Sequence, residues 1–239
     1  MTRFSRFARL LAVVSLIAGI EVVANQAMAS EESVDRRTQL ALGLDVHAQQ
    51  GASTFKQYCA TCHGPEGHGD PKRTIPALAG QRFAYLVRQL ANFAGGERES
   101  ITMHRQMSQA ALQEPQTWAD IAGYLNHLPN AYEAQHGDGT DLALGGAIFH
   151  EQCASCHRAD AHGDEDGFVP SLRHQHYDYL VRQLHRMAQG DRHNVDENLV
   201  RFLRSFDEQE IRAVADYLSR LRGPGKDKKS MHADGTVLD

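Results

Sequence analysis

The sequence predicts an all-α chain made of two copies of one small helical module, and three observations predict it. The pentapeptide from Cys59 to His63 (CATCH) recurs from Cys153 to His157 (CASCH), an offset of 94 residues. The same offset carries His68 to His162, Asp70 to Asp164, Pro76 to Pro170, Leu78 to Leu172, Gln81 to Gln175 and Gly96 to Gly190. It also lays YLVRQL at Tyr85–Leu90 on YLVRQL at Tyr179–Leu184 with no gap, the mark of a tandem duplication. Apolar residues in both copies fall at i, i+3, i+4 and i+7, and no segment alternates as a strand would.

The elements follow in order. Residues 1–29 read as a cleaved export signal: Arg3, Arg6 and Arg9 precede the apolar run Leu10–Ile20, and Ala27–Ala29 fits a small-x-small cleavage site. The run stops at Glu21, short of the ~20 apolar residues a spanning helix needs. The mature chain is therefore expected in the periplasm. Residues 40–130 form the first module, 131–141 a polar linker, 142–222 the second module and 223–239 a flexible tail without apolar periodicity.

Within each module the sequence predicts one helix leading into the Cys-x-x-Cys-His turn and entered at Gly51 or Gly145. A second, containing YLVRQL, ends near Gly95–Gly96 or Gly190, and a third runs over QTWADIAGYLNHL or DEQEIRAVADYLSRL. Near the end the offset slips to 93, pairing Tyr124 with Tyr217. Modules this small bury little surface alone, so each needs help to form a core.

The four cysteines supply that help. An exported chain keeps its cysteines in an oxidising place, where a disulfide or a redox pair would be the ordinary reading of Cys-x-x-Cys. Neither needs the histidine that directly follows each pair, His63 and His157. Cys-x-x-Cys-His is the attachment signal of c-type haem, with two thioethers tethering the macrocycle and the histidine ligating iron. The expected cofactors are thus two covalent haem c groups, on Cys59 and Cys62 and on Cys153 and Cys156. A formal net charge of -5 with no run of like charge leaves nucleic acid outside the expected partners.

With these motifs in place the chain resembles the two-haem class I cytochromes c of the cytochrome c4 type. The likeness rests on the two attachment signals, PALAGQRFAYLVRQL, the turn glycine, a ligand loop and a closing amphipathic helix. It implies two tandem cytochrome c domains, each a small helical fold around one haem, and a periplasmic electron carrier. The implied partners are redox proteins, whether oxidase, reductase or dehydrogenase, with docking to a membrane-bound respiratory complex among the arrangements.

Carried onto this sequence, the resemblance makes His63 and His157 axial ligands and the Pro76 carbonyl the orienting partner of His63. Counting seven residues from Gly96 gives Met103 as the sixth ligand of the first iron. Met107 is the alternative, and whichever does not ligate is a packing residue.

The second module departs from the pattern: Glu197–Arg201 stand where the methionine is expected, Met187 precedes the turn glycine and Met231 lies in the tail. Its iron is five-coordinate or takes another ligand, for which His193 in the same loop is the candidate. Of the 14 histidines, His174, His176 and His185 read as surface or packing residues and His68 and His162 as turn residues. Arg88 and Arg182 read equally as propionate partners and as exposed helix arginines. Two functions follow. In one the protein is a carrier that transforms no substrate. In the other the methionine-free haem is the open site of a peroxidase-like or sulfur-compound oxidoreductase, although no cysteine is left over to ligate it.

Overall fold

The computed structural model describes residues 33–130 and 134–222; the expected signal segment, the tail and linker residues 131–133 lie outside them. Among the described residues there is no strand, only isolated bridges between Asp70 and Ile75 and between Asp164 and Val169. The chain is all-α, as its periodicity predicts.

Module 1 contains α1 (33–42), α2 (Ala48–Tyr58), α3 (Ala60–His63), α4 (Phe83–Gly95), α5 (Ile101–Met107) and α6 (Pro115–His127). Module 2 repeats all but the first as α7 (Leu142–Ile148, continued by a π-helical turn through Cys153), α8 (Ala154–His157), α9 (Tyr177–Gln189), α10 (Glu197–Leu203) and α11 (Glu208–Arg220). Gly96 and Gly190 end α4 and α9 with φ of 83° and 80°, a left-handed cap that glycine adopts without strain. At α11 the Asp207 side chain takes the Glu210 N–H while the Glu210 carboxylate takes the Asp207 N–H, a closed capping box.

Glycine has another purpose at Gly51 and Gly145. The sequence predicts them at helix entries, but they lie inside α2 and α7, where those helices cross α6 and α11. A Cβ on Gly51 would stand 2.0 Å from the Asp120 carbonyl oxygen, and one on Gly145 2.0 Å from that of Ala213. No side chain fits at either crossing. The closeness brings Phe55 onto Tyr124, with ring centroids 5.7 Å apart, and Phe149 onto Tyr217 at 5.8 Å.

Helix α1 extends module 1 back beyond residue 40. It buries Val34, Thr38 and Ala41, one helical face, and lays the Arg37 guanidinium 4.4 Å from the Trp118 ring centroid. Asp35 pairs with Arg88 and the Gln113 carbonyl accepts from Arg37. Among the described residues module 2 has no counterpart, and its core is smaller: seven buried hydrophobic residues cluster there against seventeen in module 1.

The modules face each other with the same residues on both sides. Gln81 brackets the Ser171 backbone, accepting its N–H at 2.8 Å and donating to its carbonyl at 2.9 Å; Gln175 brackets Ala77 likewise, at 3.0 and 2.9 Å. Arg82 donates to the His162 carbonyl and His176 to that of His68. Arg98 donates to the Tyr179 hydroxyl at 3.0 Å and Arg192 to that of Tyr85 at 3.2 Å, and both reach Gln183. Every pair is related by the offset of 94, so the duplicated surface packs on its own copy as in an isologous dimer.

Some contacts across the seam have no symmetric mate. The Glu165 carboxylate accepts from the Phe83 and Ala84 N–H groups and so caps α4 from the opposite module. The described part of the linker, residues 134–141, is held as well: Asp216 accepts from the N–H groups of Gly137 and Gly139, and Gln135 is bonded to Tyr177 and Asp178.

Candidate haem sites

In each module one helical turn gathers the attachment signal. The Cys62 and His63 N–H groups both close on the Cys59 carbonyl, at 3.1 and 3.0 Å. Residues three and four apart share a helical face, so both thiols and the imidazole emerge together. The chain then loops back through bonds repeated in the second copy: Gly69 N–H to the His63 carbonyl and Leu78 to Gly67, matched by Gly163 to His157 and Leu172 to Ala161.

That loop delivers a proline carbonyl to each histidine. His63 Nδ1 lies 3.1 Å from the Pro76 oxygen and His157 Nδ1 3.0 Å from that of Pro170. A carbonyl only accepts, so Nδ1 carries the proton and Nε2 keeps its lone pair. Burial lowers the pKa of both imidazoles, holding them neutral as a ligand must be. Burial likewise pushes the Cys59 thiol up to about 12 and Cys153 up to about 11. All four thiols are free, and Cys156 is exposed. Two thiols and an oriented neutral imidazole on one turn fit a covalent haem c, and the chain has two such turns.

The remaining candidates separate. Met107 is 2% exposed in the module 1 core, whereas Met103 is half-buried and packs against that core. The matched helices fix the comparison with module 2. Both α5 and α10 have seven residues, capped by Ser100 and Asp196, and the offset between them is 96. The counterpart of Met103 is therefore Leu199 and that of Met107 is Leu203, which corrects the span Glu197–Arg201 given by an unbroken offset of 94. Sequence alone concealed the two-residue insertion because nothing in the turn marks it.

His193 is 61% exposed, with Nδ1 3.9 Å from Glu99 of the first module. Arg88 is engaged by Asp35, and Arg182 donates to the Thr74 carbonyl at 2.6 Å. His176 is buried at the seam and His185 pairs with Glu208 at 3.0 Å. Arg98, Arg192 and the two seam glutamines went unrecognised in the sequence, although each recurs at the offset of 94. That recurrence was the available signal.

Two helical modules, each presenting thiols and a carbonyl-oriented histidine on one turn, define a dihaem class I cytochrome c. Comparison with known proteins agrees. Residues 142–222 match the cytochrome c family, and residues 46–125 match the family described as cytochrome C oxidase, cbb3-type, subunit III. The chain is 33% identical over 195 residues to a thiosulfate dehydrogenase electron acceptor of Stutzerimonas stutzeri, covering 77% of this chain and 88% of that one. It is 27% identical to cytochrome c4 of Azotobacter vinelandii, covering 74% and 89%. The crystal structure of reduced cytochrome c4 from Pseudomonas stutzeri superposes with a TM-score of 0.66 at 25% identity, over 74% of this chain and all of that one.

The chain belongs to the dihaem cytochromes c of the cytochrome c4 type. It binds two haem c groups covalently and transfers electrons.

Proposed function

We propose that the protein is a periplasmic carrier taking electrons from a sulfur-compound dehydrogenase and passing them to a respiratory acceptor. The likeness to a thiosulfate dehydrogenase electron acceptor carries the choice of donor. Cys59 and Cys62 would hold the first haem, with His63 and Met103 as ligands to its iron; Cys153 and Cys156 would hold the second, with His157 as a ligand to its iron. When bound, haem c supplies a one-electron ferric–ferrous couple.

The chain's own residues set the two sites apart. Leucine takes the place of Met107 in module 2 and is as deeply buried, so a side chain there packs; Met103 is left as the thioether donor. Leu199 offers no donor in its place. For His193 to serve instead, its ring would have to turn from Glu99. A thioether opposite histidine favours ferrous iron, so module 1 holds the higher potential, and electrons entering at module 2 run downhill to module 1.

The test is direct: the purified oxidised protein is mixed with thiosulfate and a thiosulfate dehydrogenase, and haem reduction is followed optically. In a potential-controlled titration the first haem is expected to be reduced before the second and, in the reverse titration from the reduced protein, to be the last to return to the ferric form. No reduction by any sulfur-compound dehydrogenase, with rapid reduction by another donor, would remove the proposed donor while leaving the carrier function in place.

A further inference from the structure

Each module closes its attachment loop with an aspartate–arginine pair, but the arginine comes from opposite sides. Asp70 and Asp164 occupy the same position, each bridged to the returning strand-like residue, Ile75 or Val169. In module 1 the cation is Arg73, three residues after Asp70, with Nε 2.6 Å from Oδ2 and Nη2 3.5 Å from the Cys62 carbonyl. The counterpart of Arg73 in module 2 is Gly167. There the cation is Arg158, six residues before Asp164, with Nη2 2.6 Å from Oδ2.

Arg158 directly follows His157, where module 1 has Gly64. The two backbones are nearly the same, φ 77° and ψ 157° at Gly64, φ 65° and ψ 157° at Arg158. That region is open to glycine and closed to almost everything with a Cβ. Module 1 shows that the loop closes without such strain, given glycine at the first position and arginine at the second. What the strained arrangement changes is where the guanidinium is anchored: on the residue bonded to His157 rather than on a turn ten residues away.

We infer that Arg158 is a positioning residue of the second haem, a cation kept beside the His157 turn and braced by Asp164. The inference rests on the reading that Cys153, Cys156 and His157 carry that haem. A positive charge close to the iron disfavours the ferric state, which bears one more positive charge than the ferrous. The site that lacks methionine thus regains part of the potential that methionine would have given it. Removing Arg158 also leaves Asp164 as an unpaired anion in the same loop, which acts in the same direction.

The experiment uses the full-length holoprotein as wild type, Arg158→Ala, Arg158→Gly and the double variant Arg158→Gly with Gly167→Arg. Haem content, the midpoint potential of each haem and thermal unfolding are measured. With two haems bound, both single variants should lower the potential of the second haem and leave the first unmoved. Arg158→Gly should unfold at a higher temperature than Arg158→Ala, because only glycine relieves the backbone. The double variant should recover the second potential while keeping that stability. A second potential unchanged in Arg158→Gly, or one the added Gly167→Arg does not raise, overturns the inference. A wild-type protein carrying one haem would instead remove the reading beneath it.

Discussion

Gln81 and Gln175 hold the two modules together as one residue used twice, each bracketing a backbone N–H and carbonyl of the other module. The bracketed residues Ala77 and Ser171 are buried, so losing the side chain strands two polar groups. An unsatisfied buried group costs about 1–3 kcal/mol. Gln175→Ala should therefore destabilise the holoprotein by about 2–6 kcal/mol and separate one unfolding transition into two, read by urea denaturation at each haem's absorbance. Coincident transitions at the wild-type midpoint would show that the bracket contributes nothing.

The seam also carries a pH dependence. His176 donates from Nε2 to the His68 carbonyl at 2.8 Å and accepts the Gln135 N–H on Nδ1 at 3.2 Å, a pattern only the neutral ring allows. Burial lowers its pKa below 6.5, opposed by its bond to the His68 carbonyl and by the Asp70 and Asp178 carboxylates, with the His68 ring adding a smaller lowering effect. The unfolded chain therefore takes up this proton first as pH falls. The contribution is complete above pH 6.5 and is lost as pH drops from there through the folded value. The counterpart of His176 is Arg82, which makes the matching carbonyl bond while permanently charged. His176→Arg should flatten the fall in urea midpoint between pH 7 and pH 5; an equally steep fall would place the titrating group elsewhere, with His136, whose pKa burial also lowers, next to be tested.

Much of this was legible in the sequence, and the limit has a physical cause. Cys-x-x-Cys-His is local chemistry on a single turn, so its five residues announce the site, and the 3.6-residue period of α6 and α11 survives any tertiary context. The seam is different. Gln81 and Gln175 repeat visibly, but nothing in a repeated glutamine says that its partner lies across the duplication. Helix α1 was missed because its buried face is only Val34, Thr38 and Ala41, too few to raise a periodic signal. The register of α10 was missed because the two extra residues fall in a turn, where no pattern constrains length.

Met103 and Met107 should respond to substitution in opposite ways. Met107→Leu copies what module 2 already has at Leu203, and a swap of similar volume in a core costs less than about 1.5 kcal/mol. The red sulfur-to-iron band should survive it. Met103→Ala should abolish that band and lower the potential of the first haem. A band lost in Met107→Leu and kept in Met103→Ala reverses the assignment.

At the helix crossings a single methyl group is too much. Gly51→Ala would bring a carbon to 2.0 Å from the Asp120 carbonyl oxygen, and only separation of α2 from α6 relieves it. Overpacking of this kind costs about 1–3 kcal/mol and sometimes more, and α2 runs straight into the attachment turn. The thermal midpoint should fall accordingly, with the larger loss for Gly145→Ala because module 2 has the smaller core. Wild-type stability in both variants would mean that the helices have room to part.

We propose that no strong protein donor faces His157 across the second haem, and this would be the sharpest difference between the modules. Leu199 stands where module 1 has Met103, and His193, the nearest chemical substitute in that loop, faces Glu99 with most of its ring in solvent. Without a strong protein donor the second ferrous iron should take carbon monoxide, while the first, with Met103 in place, should not. Binding is expected at one haem of two, counted from the optical change at saturation. His193→Ala separates the alternatives: if that ring does not ligate, the variant binds carbon monoxide with wild-type affinity and its ferric second haem keeps the same spin state. If the wild type is low-spin at both irons and only the variant becomes high-spin and binds the gas, His193 is the ligand and its ring turns away from Glu99 when the haem is present. Carbon monoxide binding at neither haem of both proteins would return module 2 to an ordinary closed carrier site.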